Sequence, residues 1–143
     1  MKVVIDANVF LSALIRDSAT RRIIVSYGIE FYFPEPALNR IKKYKDYVLT
    51  KSGLSDDDYN KLMAILLKYI ALVPEKTIMQ KWGDAENIMG AIGPEDIVFA
   101  ATVLCVKDSV LWANDRYFKR QVTITVFATE DILKVLSDDE TRR

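Results

Sequence analysis

The sequence predicts an α/β sandwich built around a mainly parallel sheet. Short, β-branched apolar runs alternate with longer segments of helical periodicity, which is the pattern of parallel strands joined by helices. The 143 residues, 50% hydrophobic and 28% charged, fit one domain that folds without disulfides or a structural metal. We expect a single domain over residues 1–136 and a polar, frayed tail over residues 137–143.

The first third of the chain is predicted to form strand, helix, strand and helix. Val3–Ile5 is a short β-branched run, as in a buried strand. Helical periodicity then covers Val9–Tyr27, with an interruption near Asp17–Ala19. Ile29–Phe33 is the second strand, stopped by the proline that follows. Ala37–Leu49 continues as a helix with its basic residues outward.

The middle of the chain begins with a helix-capping signal. Ser55 is followed by three aspartates, which favours a helix start, and the helix is expected over Tyr59–Tyr69. Ile70–Val73 is the third predicted strand, and Glu75–Ala91 a helix weakened by two glycines. Ile97–Val106 is apolar on nearly every face, which predicts a buried helix.

The last third is predicted to add two strands and two helices. Val110–Ala113 is a strand and Arg116–Arg120 a short helix. Thr123–Phe127 is the fifth strand, and Thr129–Leu136 the final helix.

The composition excludes several kinds of hydrolase. The chain has no histidine and one cysteine, Cys105, which excludes histidine-containing catalytic triads and zinc sites made of cysteine and histidine. No Gly-Lys-Ser/Thr sequence occurs, which excludes a P-loop. Hydrolysis would therefore have to rely on carboxylates.

Charge and hydropathy indicate a cytoplasmic protein. Lysine plus arginine and aspartate plus glutamate both number 20, so no global basic field indicates a nucleic-acid partner. The longest uncharged stretch, Ile97–Val106, is far shorter than the roughly 20 residues that span a bilayer. Asp6 interrupts the first apolar run too early for a signal peptide. We expect no membrane association.

Three acids occupy positions where ligands collect in parallel sheets. Asp6 follows the first strand, Asp115 follows the fourth, and Asp96 lies in the first turn of the buried helix. Because the carboxyl ends of parallel strands meet at one edge of the sheet, we expect these acids to converge. Converging carboxylates repel unless a cation neutralises them, and hard oxygen ligands select Mg²⁺ or Mn²⁺.

Two of these acids also have simple structural explanations. Asp115 is a good helix N-cap, and Asp96 suits the positive end of a helix dipole. Asp6 closes an apolar strand without an obvious structural duty, which makes it the strongest functional candidate.

Three segments together resemble the successive acidic motifs of the PIN domain family. They are Ile5-Asp6-Ala-Asn8-Val-Phe, Pro94-Glu-Asp96-Ile-Val-Phe-Ala-Ala and Leu111-Trp-Ala-Asn-Asp115-Arg-Tyr-Phe118. The resemblance implies a three-layer α/β/α sandwich with a central, mainly parallel sheet, a nuclease site dependent on Mg²⁺ or Mn²⁺, and frequent homodimers. Many such domains are toxins of the VapBC type, which cleave RNA and are held by an antitoxin.

The resemblance assigns catalytic, metal-binding roles to three acids and supporting roles to two amides. The acids are Asp6, Asp96 and Asp115, and the amides are Asn8 and Asn114. The second family acid is missing, because Asn39 or Arg40 stands at its position. Glu35, one helical turn before Asn39, is the candidate catalytic substitute.

Two basic clusters are candidates for holding the RNA backbone. They comprise Arg40, Lys42 and Lys43 in the first half of the chain, and Arg116, Lys119 and Arg120 in the second. A solvated helix face is the alternative explanation for such charges.

Other functions remain open alongside the toxin nuclease. Arg40 could pair with one of the acids and take the place of a metal, leaving a PIN fold that binds RNA or a protein. An RNA-maturation nuclease is a further alternative. For a homodimer, Tyr44, Tyr47 and Tyr59 are candidate exposed interface residues.

Overall fold

Five parallel strands form the centre of the fold. The computed structural model describes residues 1–16 and 19–142, with the backbone alone for residues 140–142. The strands are β1 (Lys2–Ile5), β2 (Glu30–Pro34), β3 (Ile70–Val73), β4 (Ser109–Trp112) and β5 (Val126–Phe127). Their order across the sheet is β3-β2-β1-β4-β5. Val3 pairs with Phe31 of β2 and with Val110 of β4, which places β1 in the middle.

Helices connect the strands, as parallel pairing requires. In the described residues they are α1 (Ala7–Ile15), α2 (Ala19–Ile24), α3 (Leu38–Lys43), α4 (Lys45–Ser52), α5 (Asp56–Tyr69), α6 (Glu75–Met79), α7 (Trp82–Met89), α8 (Ile97–Cys105) and α9 (Thr129–Arg142). Short 3-10 turns cover Glu35–Ala37, Pro94–Asp96 and Arg116–Arg120. No helix in this part of the chain is both long and apolar enough to cross a membrane.

The core lies on both faces of the sheet. Val3, Val4 and Ile5 are all fully buried, and successive strand residues point to opposite faces, so both faces of β1 are covered. Phe33 of β2 packs against Phe10 of α1 and Phe99 of α8, with ring centroids 4.8 and 5.8 Å apart. The predicted α/β/α sandwich with a parallel sheet is confirmed.

Helix boundaries differ from the predictions where packing overrides local pattern. The predicted helix over residues 37–49 is divided at Tyr44, where ψ turns to 11° and α4 turns to pack against α1. The one predicted over residues 75–91 is divided before Trp82, so that α6 and α7 both contact α8. The predicted interruption near Asp17–Ala19 falls partly on residues 17–18, outside the described residues, although α1 and α2 end and begin on either side.

The C-terminal segment is helical beyond the predicted end. Helix α9 continues through Arg142, where the sequence analysis ended it at Leu136 and expected a frayed tail. The physical reason is that no glycine or proline follows Leu136, so nothing stops a helix whose start is fixed by Asp131 Oδ2, which accepts from the Ala128 N–H at 2.8 Å.

Candidate active site

An open cleft of about 770 Å³ lies at the carboxyl edge of the sheet. Asp6 follows β1, Asp115 follows β4, and Asp96 ends the 3-10 turn before α8. All three carboxylates line the cleft, so the structure brings together the acids that the sequence analysis singled out. Arg40 and Lys43, both on α3, line it as well.

Asp6 is a buried carboxylate with little compensation for its charge. It is 2% exposed, and burial raises its pKa to about 7, with further increases from the charges of Asp96 and Asp115. Its Oδ2 accepts from the Asn8 backbone N–H at 3.3 Å, and the backbone N–H groups of Asn8 and Ala7 lower the pKa only in part. Asp6 therefore caps α1, a structural duty that the sequence analysis did not see.

Asp96 is also buried, but it has a cationic partner. It is 6% exposed, and its Oδ1 lies 3.1 Å from Nη1 of Arg40. Burial raises the pKa of Asp96, and the hydrogen bond and charge of Arg40 oppose that increase. Asp96 stands at the start of α8, where the positive end of the helix dipole also favours an acid, but its side chain makes no capping hydrogen bond there.

Asp115 is the exposed member of the three. Its Oδ2 accepts from Nδ2 of Asn8 at 3.1 Å, and its side chain does not cap the 3-10 turn that follows. Asn8 thus joins the two strand ends: its backbone N–H reaches Asp6 and its side chain reaches Asp115.

Asn114 has a structural role outside the cleft. Its Oδ1 accepts from the backbone N–H of Thr129 at 2.9 Å and from the Thr129 hydroxyl at 3.2 Å. That hydroxyl also accepts from Nε1 of Trp112 at 3.0 Å. Asn114 therefore fastens the end of β4 to the start of α9, and it is not among the described residues that line the cleft.

The remaining predicted residues are distributed over the surface. Glu35 is exposed on its 3-10 turn and is not among the described cleft residues, whereas Glu95 is. Four basic candidates are likewise exposed and outside the cleft lining as described. They are Lys42, Arg116, Lys119 and Arg120. Tyr59 is 4% exposed, so the prediction that it is exposed is wrong.

Tyr117 is a cleft residue that sequence reasoning missed. It lines the cleft beside Asp115, and a Cβ at Gly93 would lie 2.5 Å from Cε2 of its ring. The absent side chain at Gly93 therefore makes room for Tyr117. A glycine immediately before the Pro94–Asp96 turn was the available signal in the sequence.

The donor chemistry of the cleft suits a hard divalent cation, although no closed set of ligands is assembled. Carboxylate oxygens are the ligands that Mg²⁺ and Mn²⁺ prefer, and burial and the charges of Asp96 and Asp115 disfavour the ionised form of Asp6, which a bound cation would stabilise. Within the described residues, however, no three acidic or other ligating side chains stand close enough together to hold a metal. Arg40 engages one of the acids and Asn8 another.

Sequence comparison agrees with this architecture. A family model described as PIN domain matches residues 4–134. The chain belongs to the PIN domain family. PIN domains are typically nucleases, and those nucleases generally use divalent metals. No curated protein gives a significant match to the chain.

Proposed function

We propose that this PIN domain is an endoribonuclease dependent on Mg²⁺ or Mn²⁺, which hydrolyses RNA phosphodiesters. The observation that carries the proposal is Asp6, a buried carboxylate with a pKa raised to about 7 in a cleft shared with Asp96 and Asp115. Keeping such a group costs stability, and clustered carboxylates of this kind are characteristic of sites that bind a cation.

In this mechanism Asp6, Asp96 and Asp115 would hold the cation, which when bound would supply an activated water molecule and positive charge beside the phosphate. The Asn8 backbone N–H holds the Asp6 carboxylate, and together with the Ala7 N–H it favours the ionised form that a cation would require. Asn8 orients Asp115 through its side-chain amide. Lys43, at the rim of the cleft, supplies positive charge for the RNA backbone.

Cleavage assays test the proposal. Labelled single-stranded and structured RNAs are incubated with Mn²⁺ or Mg²⁺, and DNA of the same sequence serves as the comparison substrate. We expect RNA cleavage by the native chain and a loss of about a thousandfold in Asp6→Asn, since a metal ligand supplies several kcal/mol of transition-state stabilisation. Asp57→Asn, at an exposed aspartate on α5, is the control and should cleave normally. Cleavage that persists in excess EDTA or in Asp6→Asn contradicts the proposal, and equal cleavage of DNA contradicts the RNA assignment.

We further propose that the protein is the toxin of a VapBC-type pair and acts as a homodimer in the cytoplasm. It is supported by the acidic motifs, and for the homodimer by Tyr44 and Tyr47, which are 48% and 52% exposed beside the cleft. Expression should arrest growth unless the product of a small adjacent reading frame is co-expressed. Gel filtration should give twice the mass of the chain. Harmless expression would instead favour an RNA-maturation nuclease.

A second candidate function is an RNA- or protein-binding module with weakened catalysis. The ion pair between Arg40 and Asp96 favours it, because the guanidinium already neutralises one of the three acids. Gel-shift and cleavage assays on the same samples distinguish the two functions. RNA that is retained but never cut at millimolar Mn²⁺ would favour the binding module.

A further inference from the structure

Arg40 is held in the cleft by three separate contacts. Its Nη1 lies 3.1 Å from Asp96 Oδ1, and its Nη2 donates to the backbone carbonyl of Glu95. The guanidinium carbon also lies 5.5 Å from the ring centroid of Phe99, within range of a cation–π contact. These contacts fix the guanidinium at the start of α8, where Asp96 enters the cleft.

The guanidinium provides the charge that the buried carboxylate needs. Asp96 is 6% exposed, and an ionised carboxylate at such a depth is costly without a cation beside it. The two ion pairs among the described residues differ in this respect. Lys45 and Asp56, the other pair, have side chains that are 36% and 71% exposed, where water already screens the charge. The pair formed by Arg40 is thus the one that lies in the cleft.

A divalent cation held by Asp6 and Asp96 would compete with Arg40 for the same carboxylate. Two cations sharing one carboxylate within a few ångströms repel each other strongly in a partly buried site. The contact that such a cation would have to break is present, since Nη1 of Arg40 donates to Asp96 Oδ1 at 3.1 Å.

We propose that Arg40 is a positioning residue that holds Asp96 in the metal-free chain and that a divalent cation must displace it from Asp96 Oδ1. Arg40 thereby sets the concentration of metal at which the cleft fills. The inference deepens the proposed nuclease function and rests on it. Arg40 is also one of the two residues, with Asn39, that stand where the resemblance to PIN domains expects the second acid. The proposal thus assigns a role to the residue at that position.

The test measures metal affinity directly, through the EPR signal of free Mn²⁺ during titration of the full chain. The native chain is compared with Arg40→Met, which keeps the length of the side chain but removes its charge. Lys43→Met is the matched control, because Lys43 lies on the same helix and lines the same cleft but belongs to neither ion pair among the described residues. It corrects for the general effect of removing one positive charge.

We expect Arg40→Met to bind Mn²⁺ on the order of tenfold more tightly than the native chain, and Lys43→Met to change the affinity by less than about threefold. Arg40→Lys retains the charge without the paired geometry, and it should bind with intermediate affinity. Melting curves followed by circular dichroism accompany each titration, and Mn²⁺ should raise the Tm of Arg40→Met more than that of the native chain. If Arg40→Met does not fold, the comparison of Arg40→Lys with the native chain decides the matter.

Three results would contradict the proposed role of Arg40 or the nuclease function. Equal or weaker Mn²⁺ binding by Arg40→Met overturns the inference, as does an equal gain in Lys43→Met. If RNA cleavage still depends on Asp6 in those samples, the inference fails while the proposed nuclease function stands. If no variant binds Mn²⁺ and no cleavage depends on Asp6, both fail.

Discussion

The end of β1 and the start of α8 each place a buried carboxylate in the same cleft, but the two carboxylates have different neighbouring charges. Asp6, after β1, has backbone N–H groups and two neighbouring acids, and its pKa is raised to about 7. Asp96, before α8, has the guanidinium of Arg40 at 3.1 Å. Burial raises the pKa of both carboxyl groups, but at Asp96 the hydrogen bond and charge of Arg40 oppose the increase. The difference lies in a cation contributed by a distant helix.

The contrast indicates where a divalent cation would gain most. At Asp6 an added positive charge would relieve a cost that the fold otherwise carries. At Asp96 it would replace a partner that is already present. We therefore expect a cation to depend most on Asp6, whereas its contact with Asp96 depends on the displacement of Arg40.

Removing the charge at Asp6 should stabilise the metal-free chain. An acid whose pKa is raised on folding costs stability as the pH rises from its unfolded value, 3.8, through its folded value, about 7. Asp6→Asn should therefore match the native chain near pH 4 and exceed it by up to roughly 4 kcal/mol at pH 8. Asparagine also serves as an N-cap, so α1 keeps its start. Urea unfolding with EDTA at the two pH values measures the effect, and a variant less stable than the native chain at pH 8 would contradict it.

Removing the charge at Arg40 should have the opposite sign. Arg40→Met leaves Asp96 buried without its cation, and we expect a loss of about 2 kcal/mol at pH 8 in the same unfolding assay. The value is below the range for fully buried pairs because the Arg40 side chain is 32% exposed. Acid pH, which protonates Asp96, should reduce the loss. A loss that is the same at pH 4 and pH 8 would show that Arg40 acts by packing alone.

A side chain at Gly93 tests the close packing of Tyr117 against this residue, just before the turn that carries Asp96. Gly93→Ala places a Cβ 2.5 Å from Tyr117, so the ring must move, at a cost of about 1 to 2 kcal/mol. Gly83→Ala is the control, since a Cβ there meets no atom within 4 Å and alanine is a better helix former than glycine in α7. Thermal unfolding should lower the Tm of the first variant and not of the second. Equal Tm shifts in the two variants would show that the contact between residue 93 and Tyr117 does not affect stability.

Shortening Asn8 should give the smallest change. Asn8→Ala removes the side-chain hydrogen bond to Asp115 but keeps the backbone N–H that Asp6 accepts from. Because the bond is exposed, we expect a loss of about 0.5 kcal/mol in stability. The effect on cleavage should be larger than on unfolding, since Asp115 would lose its fixed orientation. Unchanged cleavage kinetics would place Asn8 outside the site.

The sequence was sufficient to predict five strands in chain order and the meeting of Asp6, Asp96 and Asp115. The fifth strand is shorter than predicted, since β5 covers only Val126–Phe127 of the expected Thr123–Phe127. Short β-branched runs between helical segments predict parallel strands, and residues after such strands share one edge of the sheet with the starts of the neighbouring helices. The same reasoning could not show that Asp6 caps α1 or that Asn114 turns to Thr129. The hydrogen-bond partners of these two side chains depend on the directions in which the side chains point at the ends of β1 and β4. The hydrophobic pattern of the sequence does not specify those directions.

The sequence could not determine which acid pairs with Arg40. A pairing of Arg40 with one acid was among the alternatives that the sequence suggested, and the structure confirms it with Asp96. The choice of that acid requires α3 to face α8, which is set by packing between residues 56 positions apart. Glu35, predicted to replace the missing acid, lies on an exposed turn instead because the chain enters α3 only after the 3-10 segment.

Isothermal titration of Mn²⁺ into the native chain and into Asp6→Asn measures whether the cleft binds a divalent cation through Asp6. If the carboxylates of the cleft form a metal site centred on Asp6, the native chain should give a saturable heat that is lost or weakened at least about tenfold in Asp6→Asn. No heat from the native chain at millimolar Mn²⁺, or the same binding curve from Asp6→Asn, would contradict it.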